Sequence, residues 1–267
     1  MHAPPAPTAH DRYLKTRYFA ALDGLRCLSI LWVIGFHAHL GNSILFRRGD
    51  WGVGLFFAIS GFLITTLLLR EKSGKGEISL KDFYARRTLR IFPLYYAAIS
   101  LYTLLVFKLE RGPERSEYFH HLPFFLTYTG NWFVDRFAAD RVIFAFSWTL
   151  ATEEQFYLIW PSIIRFARRE LTPLFVILAA FAIAVVFDSL DALGHLHLGD
   201  TGNRIATSIA TPICLGCVLA YALHFRRSFY TLRSMLGSII SAPTALLAVV
   251  ALYIGMIHAP ANSRSEF

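Results

Sequence analysis

Apolar residues run along this chain in blocks of roughly twenty, broken by short gaps that hold most of the charge. Blocks near 20–40, 52–70, 89–108, 143–164, 172–190, 204–224 and 235–258 are long enough, at about 1.5 Å per helical residue, to cross a hydrocarbon core of ~30 Å. An eighth block, 120–134, is shorter and more polar. The pattern predicts an all-α fold, a polytopic transmembrane helix bundle of seven to eight segments. A Pro-rich cytoplasmic tail over 1–17 precedes the membrane-embedded region 18–260, and a polar tail follows at 261–267. The first tail lacks the apolar core of a signal peptide, so the first span is expected to stay in the protein.

Within that pattern the segment 22–37, LDGLRCLSILWVIGFH, is the anomaly. Arg26 and His37 are eleven positions apart, close to three helical turns, so both project from one face with about 16 Å between them. Asp23 precedes Arg26 by three positions, near the same face, and Ile30 and Val33 fill the stripe between. An imidazole at membrane depth titrates near neutral pH and can take a proton from an attacking hydroxyl, which makes His37 the sharpest catalytic candidate. The bland alternative is a histidine bonded between helices. Arg26 needs an anion or a water-filled cavity, because a lone guanidinium in hydrocarbon costs several kcal/mol.

Composition agrees with the spans: 55% of the 267 residues are apolar and 16% charged. The net charge of +8 does not point to nucleic acid, since the basic residues sit in the gaps, where positive-inside orientation accounts for them. Arg70, Lys72, Lys75, Lys81, Arg86, Arg87 and Arg90 put one gap, and with it the N-terminus, on the cytoplasmic side. The gaps with Arg165, Arg168 and Arg169 and with Arg226, Arg227 and Arg233 share that side only if 120–134 does not fully cross. Cys27, Cys214 and Cys217 lie in apolar runs and are expected to be buried small side chains. His195 and His197, with acids nearby, read as a solvated loop before they read as a metal site.

Three later blocks carry further polar chemistry. The run 52–64, GVGLFFAISGFLI, has small residues spaced for close helix approach, and Ser60 within it does not form a nucleophile elbow. The run 83–96, FYARRTLRIFPLYY, starts a span with Arg86, Arg87 and Arg90. Arg87 and Arg90 are neighbours on a helix and offer two guanidiniums to one polyanion, although ordinary membrane anchoring would also explain them. The run 147–161, SWTLATEEQFYLIWP, puts Glu153 and Tyr157 on one face and points Glu154 elsewhere, toward solvent. An intramembrane carboxylate is a functional hypothesis, and a helix N-terminal charge is its duller alternative.

These four blocks together resemble the acyltransferase 3 family of integral membrane acyltransferases. Leu22-Asp-Gly-Leu-Arg26 with His37, the run 52–64, Arg87-x-x-Arg90-Ile-x-Pro93 and Trp148-Thr-Leu-x-x-Glu153-x-x-Phe156-Tyr157 match its motifs in order, with Thr149 in place of the usual serine. The resemblance implies transfer of an acyl group, most often acetyl, from cytoplasmic acyl-CoA to a hydroxyl of a carbohydrate or related acceptor, in the cytoplasmic (inner) membrane of a bacterium. No permanently bound cofactor is implied; acyl-CoA is a co-substrate. Carried over by position, His37 is the general base, Arg26 a helper for charge or substrate with Asp23 also in the catalytic set, and Arg87, Arg90 and Arg86 the CoA-phosphate contacts. Glu153 becomes an orienting or proton-handling carboxylate, and Ser60, Trp148 and Tyr157 line the substrate site. Family members have more spans, so an incomplete, inactive domain is one alternative. A transporter or channel is another; it would show related halves or helices interrupted at corresponding positions, and the sequence shows neither.

Overall fold

In hydrocarbon every backbone N–H and C=O must find a partner inside its own segment, so long apolar runs become helices. The computed structural model describes residues 6–16, 18–38, 49–135, 142–194 and 211–238, with Thr201, Gly202, Ile205 and positions 240–241, 243–244, 247–248 and 251. Among these residues the structure is helical and has no strand. The helices are α1 (Ala9–Lys15), α2 (Ala20–His37), α3 (Gly49–Lys75), α4 (Leu80–Leu109), α5 (Pro113–Leu126), α6 (Gly130–Phe133), α7 (Trp148–Phe166), α8 (Thr172–Ala192), α9 (Thr211–His224) and α10 (Arg226–Leu236), with a 3-10 turn at Ala145–Ser147 ahead of α7. Three stretches are long and apolar enough to span a bilayer: Ala20–His37, Trp51–Lys75 and Leu80–Leu109. Thr172–Phe187 and Thr211–His224 are shorter apolar helices. The expected span 235–258 lies mostly outside the described residues, as do His195 and His197.

The chain forms two compact units, one of residues 1–70 with 212–267 and one of residues 71–211. In the first, α3 is the centre. A Cβ at Gly52 would sit 2.6 Å from the Ser29 carbonyl oxygen of α2, and one at Gly61 would collide with the Ile213 carbonyl oxygen of α9. Gly216 faces the Ala58 carbonyl oxygen just as closely. The small-residue run is therefore a packing surface, and Ser60, beside Gly61, is only 1% exposed. Cys214 and Cys217 are buried on the same α9 face, as expected, with the Cys217 thiol donating to the Gly61 carbonyl at 3.8 Å. Cys27 is exposed instead, because α2 touches α3 along only one side.

The N-terminal segment is fixed to this unit by specific contacts. Arg70 donates to the Tyr13 carbonyl at 2.6 Å and to the Thr16 carbonyl, and its guanidinium lies 4.8 Å from the Tyr13 ring and 5.1 Å from that of Phe19. His10 Nε2 donates to the His224 carbonyl at 2.8 Å, and the His10 and Tyr13 rings pack on Phe229 of α10 at 5.1 and 5.6 Å. The N-terminus, Arg70 and the start of α10 thus lie at one end of this unit. The start of α1 is a capping box: Asp11 N donates to Thr8 Oγ1 at 3.2 Å and Thr8 N donates to Asp11 Oδ2 at 2.9 Å, with a further bond from Thr8 Oγ1 to Asp11 Oδ2 at 2.7 Å.

In the second unit, α4 carries an aromatic face onto which α5 folds back. Tyr95 and Tyr96 hydroxyls donate to the carbonyls of Phe125 and Leu126 at the end of α5, at 2.8 and 3.0 Å. Tyr128, at φ 55°, turns the chain and stacks on Tyr95 with ring centroids 4.4 Å apart. The candidate segment 120–134 is therefore not one helix: Pro123 lies in the last turn of α5, the chain reverses over 127–129, and four residues of α6 follow. The C-terminal end of α7 is tied to the segment after α3. Lys72 Nζ donates to the carbonyls of Ile164 (2.5 Å) and Ala167 (3.1 Å), and Arg165 donates to the Ile78 carbonyl and pairs with Glu77 at 3.6 Å.

Two outcomes test this description. Gly216→Val, which must force α3 and α9 apart, is expected to destabilise the protein by about 1–3 kcal/mol or abolish its folding. Gly74→Ala, where the added methyl meets nothing within 4 Å, is expected to be neutral or stabilising; thermal unfolding in detergent compares the two. For α1, the side-chain and then the backbone hydrogen bond from Thr8 hold the Asp11 carboxyl below its ordinary value. A depressed folded value means the cap is fully present above the ordinary carboxylate pKa of about 4 and is lost as pH falls through the lower folded value. Amide exchange in α1 should accelerate over that acidic window, and Asp11→Asn should flatten the pH dependence.

Candidate active site

The motif residues fall into two groups, one in each unit. In the first unit α2 carries Asp23, Arg26 and His37. Asp23 Oδ1 and Arg26 Nη1 are 3.9 Å apart one turn from each other, and the Arg26 guanidinium lies 5.9 Å from the centre of the Phe56 ring of α3. The expected pairing of Asp23 with Arg26 is present. Arg26 Nε is buried without a hydrogen-bond partner among the described residues, which leaves one donor of a half-buried cation uncommitted. His37 closes the last turn of α2 and is exposed, its ring edge-on to Phe36 at 5.3 Å. Ile30, in the stripe between Arg26 and His37, is 48% exposed. Ser60 Oγ is buried with no hydrogen-bond partner among the described residues, so it is placed for packing and not for access.

In the second unit α4 and α7 bring Arg87, Tyr157 and Glu153 together. Glu153 is 4% exposed and Tyr157 is 2% exposed. Tyr157 Oη donates to Glu153 Oε1 at 3.0 Å, the (i, i+4) contact that the sequence spacing predicts. The guanidinium carbon of Arg87 sits 3.7 Å from the centre of the same tyrosine ring. One aromatic ring therefore links a buried carboxylate to a cation. Glu153 is the sixth residue of α7, beyond the first turn, so a simple N-terminal helix charge does not explain it. Trp148 is the first residue of α7, half-buried, and its carbonyl accepts from Thr152 Oγ1 at 3.1 Å. Tyr84 fixes α4 to α7 by donating to the Leu158 carbonyl at 2.7 Å.

Arg86 and Arg90 are exposed on α4, whereas Arg87 is half-buried. The three arginines are thus not equivalent: Arg87 packs on the Tyr157 ring, and the other two are exposed. Glu154 corrects the expectation that it points to solvent. Its Oε1 is buried without a hydrogen-bond partner among the described residues, and the charge of Arg87 acts on it.

Reading the sequence also missed an amide pair. Asn131 of α6 and Gln155 of α7 exchange hydrogen bonds at 2.9 Å each, Asn131 Nδ2 reaches Thr152 Oγ1 at 3.3 Å, and Gln155 Nε2 donates to the carbonyl of Tyr128 at 2.8 Å. The signal was present in the polarity of 120–134 and in Gln155 following the two glutamates, but only the fold joins them. This pair holds α6 against the α7 turn that carries Glu153 and Glu154.

An all-helical chain with spanning-length apolar helices, a buried carboxylate–tyrosine–arginine set and a membrane-helix histidine is built as a membrane-associated protein with polar chemistry on its helices. It belongs to the acyltransferase 3 family: the profile of this acyltransferase domain matches residues 19–265. The chain is 31% identical over 228 residues to the O-acetyltransferase OatA of Staphylococcus aureus, which covers 79% of this chain and 36% of that protein. It is 31% identical over 153 residues to the peptidoglycan O-acetyltransferase OatA of Listeria monocytogenes, covering 55% of this chain and 24% of the relative. A putative O-acetyltransferase of Staphylococcus aureus is 35% identical over 162 residues, 57% of this chain and 26% of its own length. The matched region thus spans between about a quarter and about a third of the length of these curated relatives. No solved structure matches it.

The Tyr157 linkage makes a direct prediction. Tyr157→Phe keeps the ring beneath Arg87 but removes the bond to Glu153, and should cost about 1–3 kcal/mol of stability. Tyr157→Ala removes both contacts and leaves a cavity, so its loss should be larger, about 3–5 kcal/mol. Thermal unfolding of both variants in detergent reads the difference; a Tyr157→Phe variant as stable as the parent would remove the hydroxyl's role, and equal losses in the two variants would remove the ring's.

Proposed function

We propose that this chain is an integral membrane O-acetyltransferase that moves an acetyl group from acetyl-CoA to a hydroxyl of a cell-surface carbohydrate. The carrying observation is its similarity to proteins named O-acetyltransferases across 79% of its length. The Listeria relative, by name, modifies peptidoglycan, and a glycan hydroxyl of that kind is the acceptor class proposed here.

The residues take the following roles. His37, exposed on the last turn of α2, accepts the proton of the acceptor hydroxyl as its oxygen attacks the thioester carbonyl carbon. The carbon–oxygen bond forms, the carbon–sulfur bond breaks, and the proton passes to the departing CoA thiolate. Arg26, with Asp23 beside it, supplies positive charge for the substrate nearer the start of α2. Arg90 and Arg86, exposed at the start of α4, bind CoA phosphates, while Arg87 is positioned by Tyr157 and the glutamates. Trp148 lines the substrate site, and Glu153 orients Tyr157.

The proposed setting is the cytoplasmic membrane, crossed seven times with the N-terminus inside. Several contacts support this count. The break at 127–129 removes 120–134 as a crossing, which lets every basic gap fall on one side. Within the first unit the N-terminal segment touches Arg70 and α10; within the second, the residues after α3 touch the end of α7.

Removal of the base is the decisive mutational test. His37→Ala should lower acetyl transfer about 10²–10⁴-fold with membrane insertion intact. Arg86→Gln with Arg90→Gln should raise the KM for acetyl-CoA more than that for the acceptor. Full activity in the first variant, or an unchanged donor KM in the second, would contradict the assigned roles; steady-state assays with labelled acetyl-CoA measure both.

A further inference from the structure

Two short helices at one end of the first unit are left without a role by the transfer reaction. In α10, RRSFYTLRSML, Phe229, Leu232 and Leu236 recur at helical spacing on one stripe. Arg226 and Arg233, seven positions apart, border that stripe, and Arg227 lies further round. None of the α10 residues is buried. Phe229 rests on His10 and Tyr13 of α1, whereas Met235 and Leu236 are 69% and 61% exposed. The stripe is thus covered by α1 at its start and open at its end.

The charge on this surface has one sign. Arg12 and Lys15 of α1 are exposed beside Arg226, Arg227 and Arg233 of α10, and Asp11 is the sole acidic residue in the two helices. Asp11 is itself bonded to Thr8. The platform follows α9, an apolar helix of fourteen residues, so it begins where an apolar helix ends. An amphipathic helix with arginines along the edge of its apolar stripe, placed at that level, is suited to lie in the headgroup plane with its cations among phosphates.

We infer that α1 and α10 together form a docking surface for the anionic phospholipid headgroups of the leaflet in which the protein sits, with Met235 and Leu236 entering the acyl boundary and Arg226 and Arg233 contacting phosphate. Anionic lipid then orders the α1–α10 pair. The leaflet is the cytoplasmic one by the topology proposed above, and that clause alone rests on it. Attraction of this kind depends on lipid charge and falls off within a Debye length.

The test uses the full chain in nanodiscs of phosphatidylcholine, alone or mixed with phosphatidylglycerol, read by amide exchange of peptides over 9–15 and 226–236. Phosphatidylglycerol is expected to slow exchange in both helices several-fold. The double change Arg226→Gln, Arg233→Gln should abolish that response, Arg233→Gln alone should weaken it, and Arg111→Gln should leave it intact. Identical exchange in the two lipid mixtures would overturn the inference, as would an undiminished lipid response in both the double and the single variant. Slowing by added acetyl-CoA in phosphatidylcholine discs, with no response to phosphatidylglycerol, would assign the surface to the nucleotide and also overturn it. Thiol labelling of Ser234→Cys in sealed vesicles reports sidedness separately, so a failure of the topology is distinguished from a failure of lipid docking.

Discussion

The first unit depends on backbone meeting backbone. Apolar side chains gain little by pairing in lipid, which is as apolar as they are, so helices there associate through close approach and shape. Gly61 and Gly216 provide that approach from opposite sides of the α3–α9 contact, and Gly52 does the same toward α2. The consequences run outward. Ser60, Thr65, Thr66 and Cys217 become inaccessible between helices, and the end of α9 is fixed where α10 begins. Because α2 rests on α3 along one side only, His37 remains open.

The second unit is held by different means. Its close contacts are made by hydroxyls and amides that reach backbone carbonyls across helices, as Tyr95, Tyr96, Tyr84 and Gln155 do. Such bonds are directional, and each removes an otherwise unpaired group from a low-dielectric interior. They suit a region where charged side chains must be held in place: Glu153 and Arg87 meet on the two sides of one tyrosine, and Glu154 lies beside them. The arginine motif is thereby divided between a half-buried member packed on Tyr157 and two exposed members.

What could be read from sequence follows from the range of the forces involved. The long helices α2, α3 and α4 were legible because hydrophobic length and period are local. So was the pairing of Glu153 with Tyr157 and of Asp23 with Arg26, since four and three positions on a helix fix a shared face. The reversal at Tyr128 was not, because a positive φ there is imposed by stacking on Tyr95 and by Gln155, both distant in the chain. Arg70 and Lys72 counted only as topology charges, yet each has a specific set of carbonyls to bind. Cys27 reads as buried by composition and is exposed because α2 has one covered side. Glu154 looked solvent-facing by helical angle alone, and its Oε1 is buried.

The central claim is that this chain carries acetyl groups from a thioester to a hydroxyl. Incubating the purified chain in bilayer discs with acetyl-labelled CoA and a soluble peptidoglycan fragment measures it most directly, through the alkali-labile label recovered on the glycan. The account predicts labelled ester and release of free CoA in equal amounts. Neither product, from a chain shown to be folded, would contradict it.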